Sequence, residues 1–446
     1  WEHLINGGMD LKYGINDAFT LDMTLIPDFG QVQSDNQVLN LSPFEVQFNE
    51  NRQFFTEGTE LFNKANLFYS RRIGGTPFNY GNVYDDLSDS EEVISNPRES
   101  RLLNATKVSG RNENGLGIGV FNAITATSEA TIRDTETGNE RTVITDPFTN
   151  YNVFVLDQNL WPNSYVSLIN TNVWRAGQAY EANVTGTEFK LATKDNSWNI
   201  NGVGSVSQKY FSDSTALGHN FTTNIEKTSG QFNFGIGQNF ESHAYDRNDL
   251  GFLFNNNENS FYGFAAYNIF EPFGKFNRYR LNADVYYSRL DQPDVFNNFG
   301  VYVENFFMTR KFHAFNLWMN AQPLLSYDYF EPRETGRFYT FPINYNWGGW
   351  ISSDYRKKFA LDAGVNYRWF DEFARDRFNW NIAPRFRVSD KLLQIVQFNV
   401  SNFDQDIGWV NTTDDGIILG SRDLDSYQTI WTTSYVFNEL MSLSFR

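Results

Sequence analysis

A chain of 446 residues that is 17% aromatic, with 43 Phe, 23 Tyr and 11 Trp, carries more large rings than soluble cores of that size need. The absence of cysteine excludes disulfides, thiolate metal sites and a cysteine nucleophile, and a net charge of -17 excludes a nucleic-acid partner that needs a basic surface. A mean hydropathy of -0.49, with no run of about 18 apolar residues, excludes helical membrane spans and leaves strands as the way across a bilayer.

The first element is a hairpin. Met9, Leu11, Tyr13 and Ile15 alternate with Asp10, Lys12 and Gly14, Asn16-Asp17 supplies a turn, and Phe19, Leu21, Met23 and Leu25 alternate with Thr20, Asp22 and Thr24. From Pro27 to Lys64 the alternation fails, and the stretch is too long for a tight turn. The acidic run Asp85, Asp86, Asp89, Glu91 and Glu92 lacks the spacing of a calcium loop and reads as a solvated outer loop.

From about residue 104 the chain is a procession of strands. Leu116, Ile118 and Val120 alternate with Gly115, Gly117 and Gly119, and Phe232, Phe234 and Ile236 alternate with polar residues and glycine. Further on, Tyr279 to Tyr287, Phe359 to Trp369 and Phe378 to Val388 repeat the pattern. Short breaks are expected at Asp195-Asn196, Thr228-Ser229-Gly230 and Ser389-Asp390-Lys391, and longer loops at Asp246 to Asn259 and Asp404 to Gly416.

One parity suits lipid and the other water. The expected fold is therefore all-β, a transmembrane antiparallel barrel of about 18 or more strands with a polar, partly plugged lumen, and with Trp and Tyr girdles at the membrane interfaces. Residues 1-446 form the barrel domain, and residues 27-64 are expected to fold inward as a lumen plug. Trp1 follows no initiator Met or signal peptide, and the strand-like pattern runs to Arg446, so a longer precursor with a signal peptide and an N-terminal domain is expected.

The charges on these elements name the candidate site. Glu45, Glu50, Arg52, Glu57, Arg71 and Arg72 place three carboxylates and three guanidiniums in one short region, suited to pinning a plug because Arg binds carboxylates bidentately. On the polar parity of the strands, Arg278, Arg280, Asp284, Asp362, Arg368, Arg385 and Arg387 are expected to line the lumen or to hold the plug. Gly115, Gly117 and Gly119 leave room for a neighbouring segment at that wall. No catalytic residue is assigned. Glu50 and Glu57 are the one carboxylate pair to weigh for glycoside hydrolysis, with Arg52 between them and no hydrolase motif around them. His3, His219, His243 and His313 are scattered, and neither a metal site nor a cofactor is expected.

The segment Pro27 to Asp35, then Asn40-Leu41-Ser42-Pro43-Phe44-Glu45, Glu50 to Gly58 and Tyr69 to Gly74, resembles a family of uncharacterised outer-membrane barrel proteins of Bacteroidota. The likeness continues through Asp146 to Tyr151 and Asn163 to Leu168, and more loosely beyond. Members often carry a carbohydrate-binding-module-like sandwich of the family 9 type before the barrel, a domain not expected within these 446 residues. The resemblance implies an outer-membrane location and a glycan-related role. The expected function is envelope transport through a gated or plugged channel, saccharide-related, or service as a subunit of an outer-membrane complex; the alternative is surface glycan binding or processing. The expected partners are outer-membrane lipid and lipopolysaccharide, other outer-membrane proteins and a saccharide ligand.

Overall fold

The computed structural model describes residues 8–26, 38–177, 179–372 and 374–446. Among the described residues twenty strands, from Met9–Gly14 to Met441–Phe445, form one antiparallel sheet in which each strand pairs with the strands of that sheet next to it in chain order. Among the described residues the first and last strands each have a partner on one side. Two smaller sheets lie outside this wall. Ser326–Asp328 pairs with Tyr339–Phe341, and Ser128–Asp134 pairs with both Glu91–Ser95 and Glu140–Asp146. No helix among the described residues is long and apolar enough to cross a membrane.

Alternation gives the wall two faces. In Phe359–Phe370, Phe359, Val365 and Trp369 are exposed whereas Ala360 and Phe370 are buried. Register carries the division sideways, since Val365 lies opposite Gly349 and Trp380, and Asn366 opposite Gly348 and Asn379. Polar neighbours bond across strands: the Asn366 amide donates to Asn346 at 2.6 Å, and the Asn379 amide donates to Asn366 at 3.0 Å. The apolar parity is thus continuous on one face and the polar parity on the other.

One end of the sheet carries tight connections. At residues 15–18 the Asn16 side chain accepts from the N–H groups of Ala18 and Phe19 at 2.8 and 2.9 Å, closing the first hairpin. Residues 112–115, 162–163, 193–197 and 228–231 turn at the same end. At the opposite end lie the longer excursions, residues 126–148, 242–257 and 323–343, and there the strand Phe19–Leu25 ends and Leu102–Arg111 begins.

The expected loop from Asp404 to Gly416 is instead ladder. Leu392–Thr413 and Gly416–Asn438 continue as a two-stranded ribbon, held by an Asp406–Arg422 ion pair at 2.9 Å and turning only at 414–415. Irregularities between Phe403 and Asp406 and between Trp409 and Asn411 break the period of two there, so no steady alternation marks it as strand.

Candidate functional site

Within the described part of the long connection, residues 38–101, the stretch from Phe55 to Ile73 packs on the face opposite the exposed large hydrophobics, whereas Val83 and Glu91–Ser95 belong to the three-stranded sheet outside the wall. Phe55, Leu61, Phe62, Leu67 and Ile73 are buried in one cluster with Phe121, Val153, Val155, Ile169 and Val184 of the wall. Glycine makes the fit possible. A Cβ on Gly117 would lie 2.8 Å from Leu61 Cδ2, and one on Gly119 would lie 3.1 Å from the Phe62 ring. Replacing Gly117 by Val should therefore overpack this contact and lower stability by about 1–3 kcal/mol, read from the urea midpoint of the detergent-folded protein. An unchanged midpoint would mean that the segment does not rest there.

At the loop end, Arg52 organises the segment. Its Nε donates to Glu50 Oε1 at 2.9 Å and its Nη2 to Oε2 at 2.7 Å, while other N–H groups donate to the carbonyls of Ile73 and Ser70 at 2.8 and 2.7 Å. The Ser70 hydroxyl donates to Glu50 at 2.6 Å, and the guanidinium lies 4.3 Å over the Phe55 ring. Arg71 Nε donates to the Asn49 carbonyl at 3.0 Å. Arg72 grips Glu45 at 2.9 and 2.8 Å and reaches the Gly251 carbonyl at 3.0 Å, which ties the segment to the 242–257 loop. Glu57 is elsewhere. It pairs with Lys12 of the first hairpin at 2.9 Å, so the six clustered charges of the sequence divide into five that meet and one that does not.

Burial pushes Glu50 upward, but the Arg52 fork and the Ser70 hydroxyl outweigh it and hold the carboxyl below its ordinary value of 4.5. Neither Glu50 nor Glu57, held low by Lys12, is set up as a proton donor near neutrality. A depressed folded value means that this pair stabilises fully above about pH 4.5 and loses its contribution as pH falls through the lower folded value. Protease resistance of residues 38–101 should thus fall only on the acid side, and Glu50→Gln should flatten that dependence. A loss of resistance centred near neutrality would assign the effect to another group.

The tip of the segment reaches the turn end. Glu60 pairs with Arg111 at 3.3 Å and Lys64 with Asp157 at 3.2 Å, while Asp157 also receives the Arg111 guanidinium and the Ser167 hydroxyl. The Glu188 carboxylate accepts from the Ala65 N–H and the Tyr165 hydroxyl. Arg111 closes the strand Leu102–Arg111, whose first residue is in the same core cluster as Leu61. Contacts therefore run along the height of the wall, roughly 30 Å at about 3.3 Å per residue. Lys64, Arg111, Asp157, Tyr165 and Glu188 were not singled out by the sequence.

The charges of the later strands stay apart from this segment. Asp362 accepts from the Ser352 and Tyr355 hydroxyls, both at 2.6 Å, and Arg368 donates to Asn344 and Gln322 at 3.0 and 3.1 Å. Asp284 accepts from Asn282. Arg385 stacks 4.3 Å over Tyr355, Arg387 reaches the Tyr355 carbonyl at 3.5 Å, and Arg278 lies 5.8 Å from the Phe270 ring. Arg280 occupies the same parity, and among the described residues none of these seven is ion-paired to the segment. The expectation that they line the lumen or hold a plug at residues 27–64 falls partly on residues 27–37, which lie outside the described residues, while Phe44 of the described part shares a cavity with Arg368.

On the polar face of these later strands, rings lie against glycine. A Cβ on Gly237, Gly235 or Gly348 would meet the rings of Tyr262, Phe264 or Trp318 at 2.3, 2.6 or 2.7 Å, so each ring is laid along the wall. Tyr302 and Trp318 sit 6.4 Å apart at 32°, beside the Asn346, Asn366 and Asn379 amides. In the three-stranded outer sheet, the Arg141 fork holds Glu91 of the acidic run at about 2.

No curated protein matches the chain. Among solved structures it is similar to the crystal structure of a Pseudomonas aeruginosa FadL homologue, at 8% identity over 81% of this chain and 83% of that one, with a TM-score of 0.23. A domain of unknown function, DUF5916, matches residues 1–446, and the chain belongs to that family.

Proposed function

We propose that this chain is a barrel of the Gram-negative outer membrane, of the Bacteroidota type, that moves solutes across the envelope past its own plug. The observation that carries the reading is the unequal treatment of the polar face. The stretch from Phe55 to Ile73 covers one part of it along the height of the wall, and another part keeps amides, rings and an arginine, Arg368, held by amides. Strand surfaces with exposed Phe, Trp and Val on the other side fit hydrocarbon. The segment is the plug, and the path runs beside it.

The solute class is saccharide. Sugars offer apolar C–H faces and a rim of hydroxyls, and the uncovered face supplies both complements: flat rings at Tyr262, Phe264 and Trp318, and amides at Asn346, Asn366 and Asn379. The same face supports glycan capture without passage, so the two readings share a surface and differ in current. Planar-bilayer recordings of the purified protein separate them. Transport predicts ion conductance interrupted by neutral oligosaccharide, with blockades that Trp318→Ala shortens about two- to tenfold, the kinetic equivalent of about 0.5–1.5 kcal/mol of ring contact. Saccharide binding with no conductance in any preparation would support surface capture and reject transport.

A further inference from the structure

In a chain with a net charge of -17, one corner of the wall is densely basic. The turns at residues 310–313 and 353–358 bear Arg310, Lys311, Arg356, Lys357 and Lys358, all exposed. They stand side by side, because Ala314, just after the first turn, pairs with Ser352, just before the second. Arg356 is occupied by Asp354 at 2.8 and 2.9 Å and lies 3.8 Å over Phe312. Among the described residues the other four form no ion pair. The Arg310 N–H donates to the Lys275 carbonyl at 2.9 Å, which brings a further exposed lysine to the same corner.

Immediately below these turns the exposed apolar face is hollow. A groove of about 790 Å3 runs over the strands Ala314–Gln322, Asn344–Ser352 and Phe359–Phe370. Small residues, Gly349 and Ala363, form its floor, and its flanks are Phe315, Leu317, Ile351 and Trp347. Phe315 and Ile351 face each other one register step from the basic turns, so the groove opens beneath the cations. Opposite poles of one amphiphile are matched within one strand pair. A concavity facing hydrocarbon takes an apolar chain, and cations at its interfacial end take a phosphate.

We infer that this corner binds an anionic phospholipid, its phosphate between the two turns and an acyl chain along the Gly349–Ala363 floor. The inference rests on the reading of the apolar face as membrane-embedded. A zwitterionic lipid offers the same chain with no net charge for the lysines, and a free phosphate offers nothing to the groove.

Native mass spectrometry of the full chain in detergent tests it, with phosphatidylglycerol and phosphatidylcholine of matched chains as probes. The expected result is one retained phosphatidylglycerol at a preference of at least tenfold. Lys311→Gln/Lys357→Gln/Lys358→Gln, all on exposed turns, should abolish the preference, and Ala363→Leu should weaken retention severalfold with every charge in place. Equal retention of the two lipids, a preference that survives the triple substitution, or lipid A retained ahead of phosphatidylglycerol would overturn the assignment. Selective retention by a protein that carries no current would keep this site and reject transport, whereas current with no lipid preference would do the reverse; a chain that enters no bilayer rejects both.

Discussion

Arg52→Ala is expected to loosen residues 38–101 from the wall at the loop end, with a cost of about 3 kcal/mol, because it takes the guanidinium fork from a largely buried carboxylate whose remaining counter-charge, Arg71, stands 4.0 Å away. Arg52 is 8% exposed and gives hydrogen bonds to Glu50 and to two backbone carbonyls, so three acceptors lose their donor at once. Proteolysis within residues 38–101 should quicken and channel current should rise. Arg52→Lys keeps the charge without the planar fork and should fall between. Removing both partners with Glu50→Ala should restore part of the stability, since the carboxylate left without its fork goes too. Arg133→Ala, at an exposed pair with Glu140, should change stability by less than about 1 kcal/mol. If Arg52→Ala digests and conducts like the parent protein, the guanidinium is not what holds the segment.

Val365→Arg should hinder insertion into vesicles far more than Asn366→Arg, although the two positions are adjacent. Val365 lies on the exposed apolar face between Gly349 and Trp380, and an arginine there enters hydrocarbon at about 2–4 kcal/mol near the midplane. Asn366 lies on the amide face, where Arg368 and Arg377 already stand. Urea titration of vesicle-folded protein reads the difference directly. Equal destabilisation by the two substitutions would mean that the faces do not separate lipid from water.

The division into faces was legible because a strand has a period of two and lipid tolerates only one kind of residue. Phe359 to Trp369 shows it without help from structure. Room at Gly117 and Gly119 was legible for a related reason, since glycine on a polar parity fills no space of its own. What sequence could not supply was partnership. Lys64 meets Asp157 and Ala65 meets Glu188 across 93 and 123 positions, and alternation tells which face a residue takes but not which distant segment lies over it. Glu57 was grouped with arginines by proximity along the chain, whereas the Asn16 turn folds Lys12 back beside it. The ladder from Asp404 to Gly416 reads as a loop because two register irregularities, at Phe403/Asp406 and Trp409/Asn411, interrupt the period of two.

The central claim, that the stretch from Phe55 to Ile73 lies against the inner wall of a membrane-inserted barrel, is tested most directly by a tether. A Cβ on Gly119 would stand 3.4 Å from that of Leu61, close to the span of about 3.5–4.5 Å that a disulfide bridges, and the chain has no cysteine to interfere. Leu61→Cys/Gly119→Cys in protein reconstituted into vesicles should form an intramolecular disulfide on mild oxidation, seen as a mobility shift reversed by reductant. In the Leu61→Cys single variant, the introduced thiol should resist a bulky water-soluble maleimide. Failure of the double variant to cross-link, together with rapid labelling of the single one, would contradict the account.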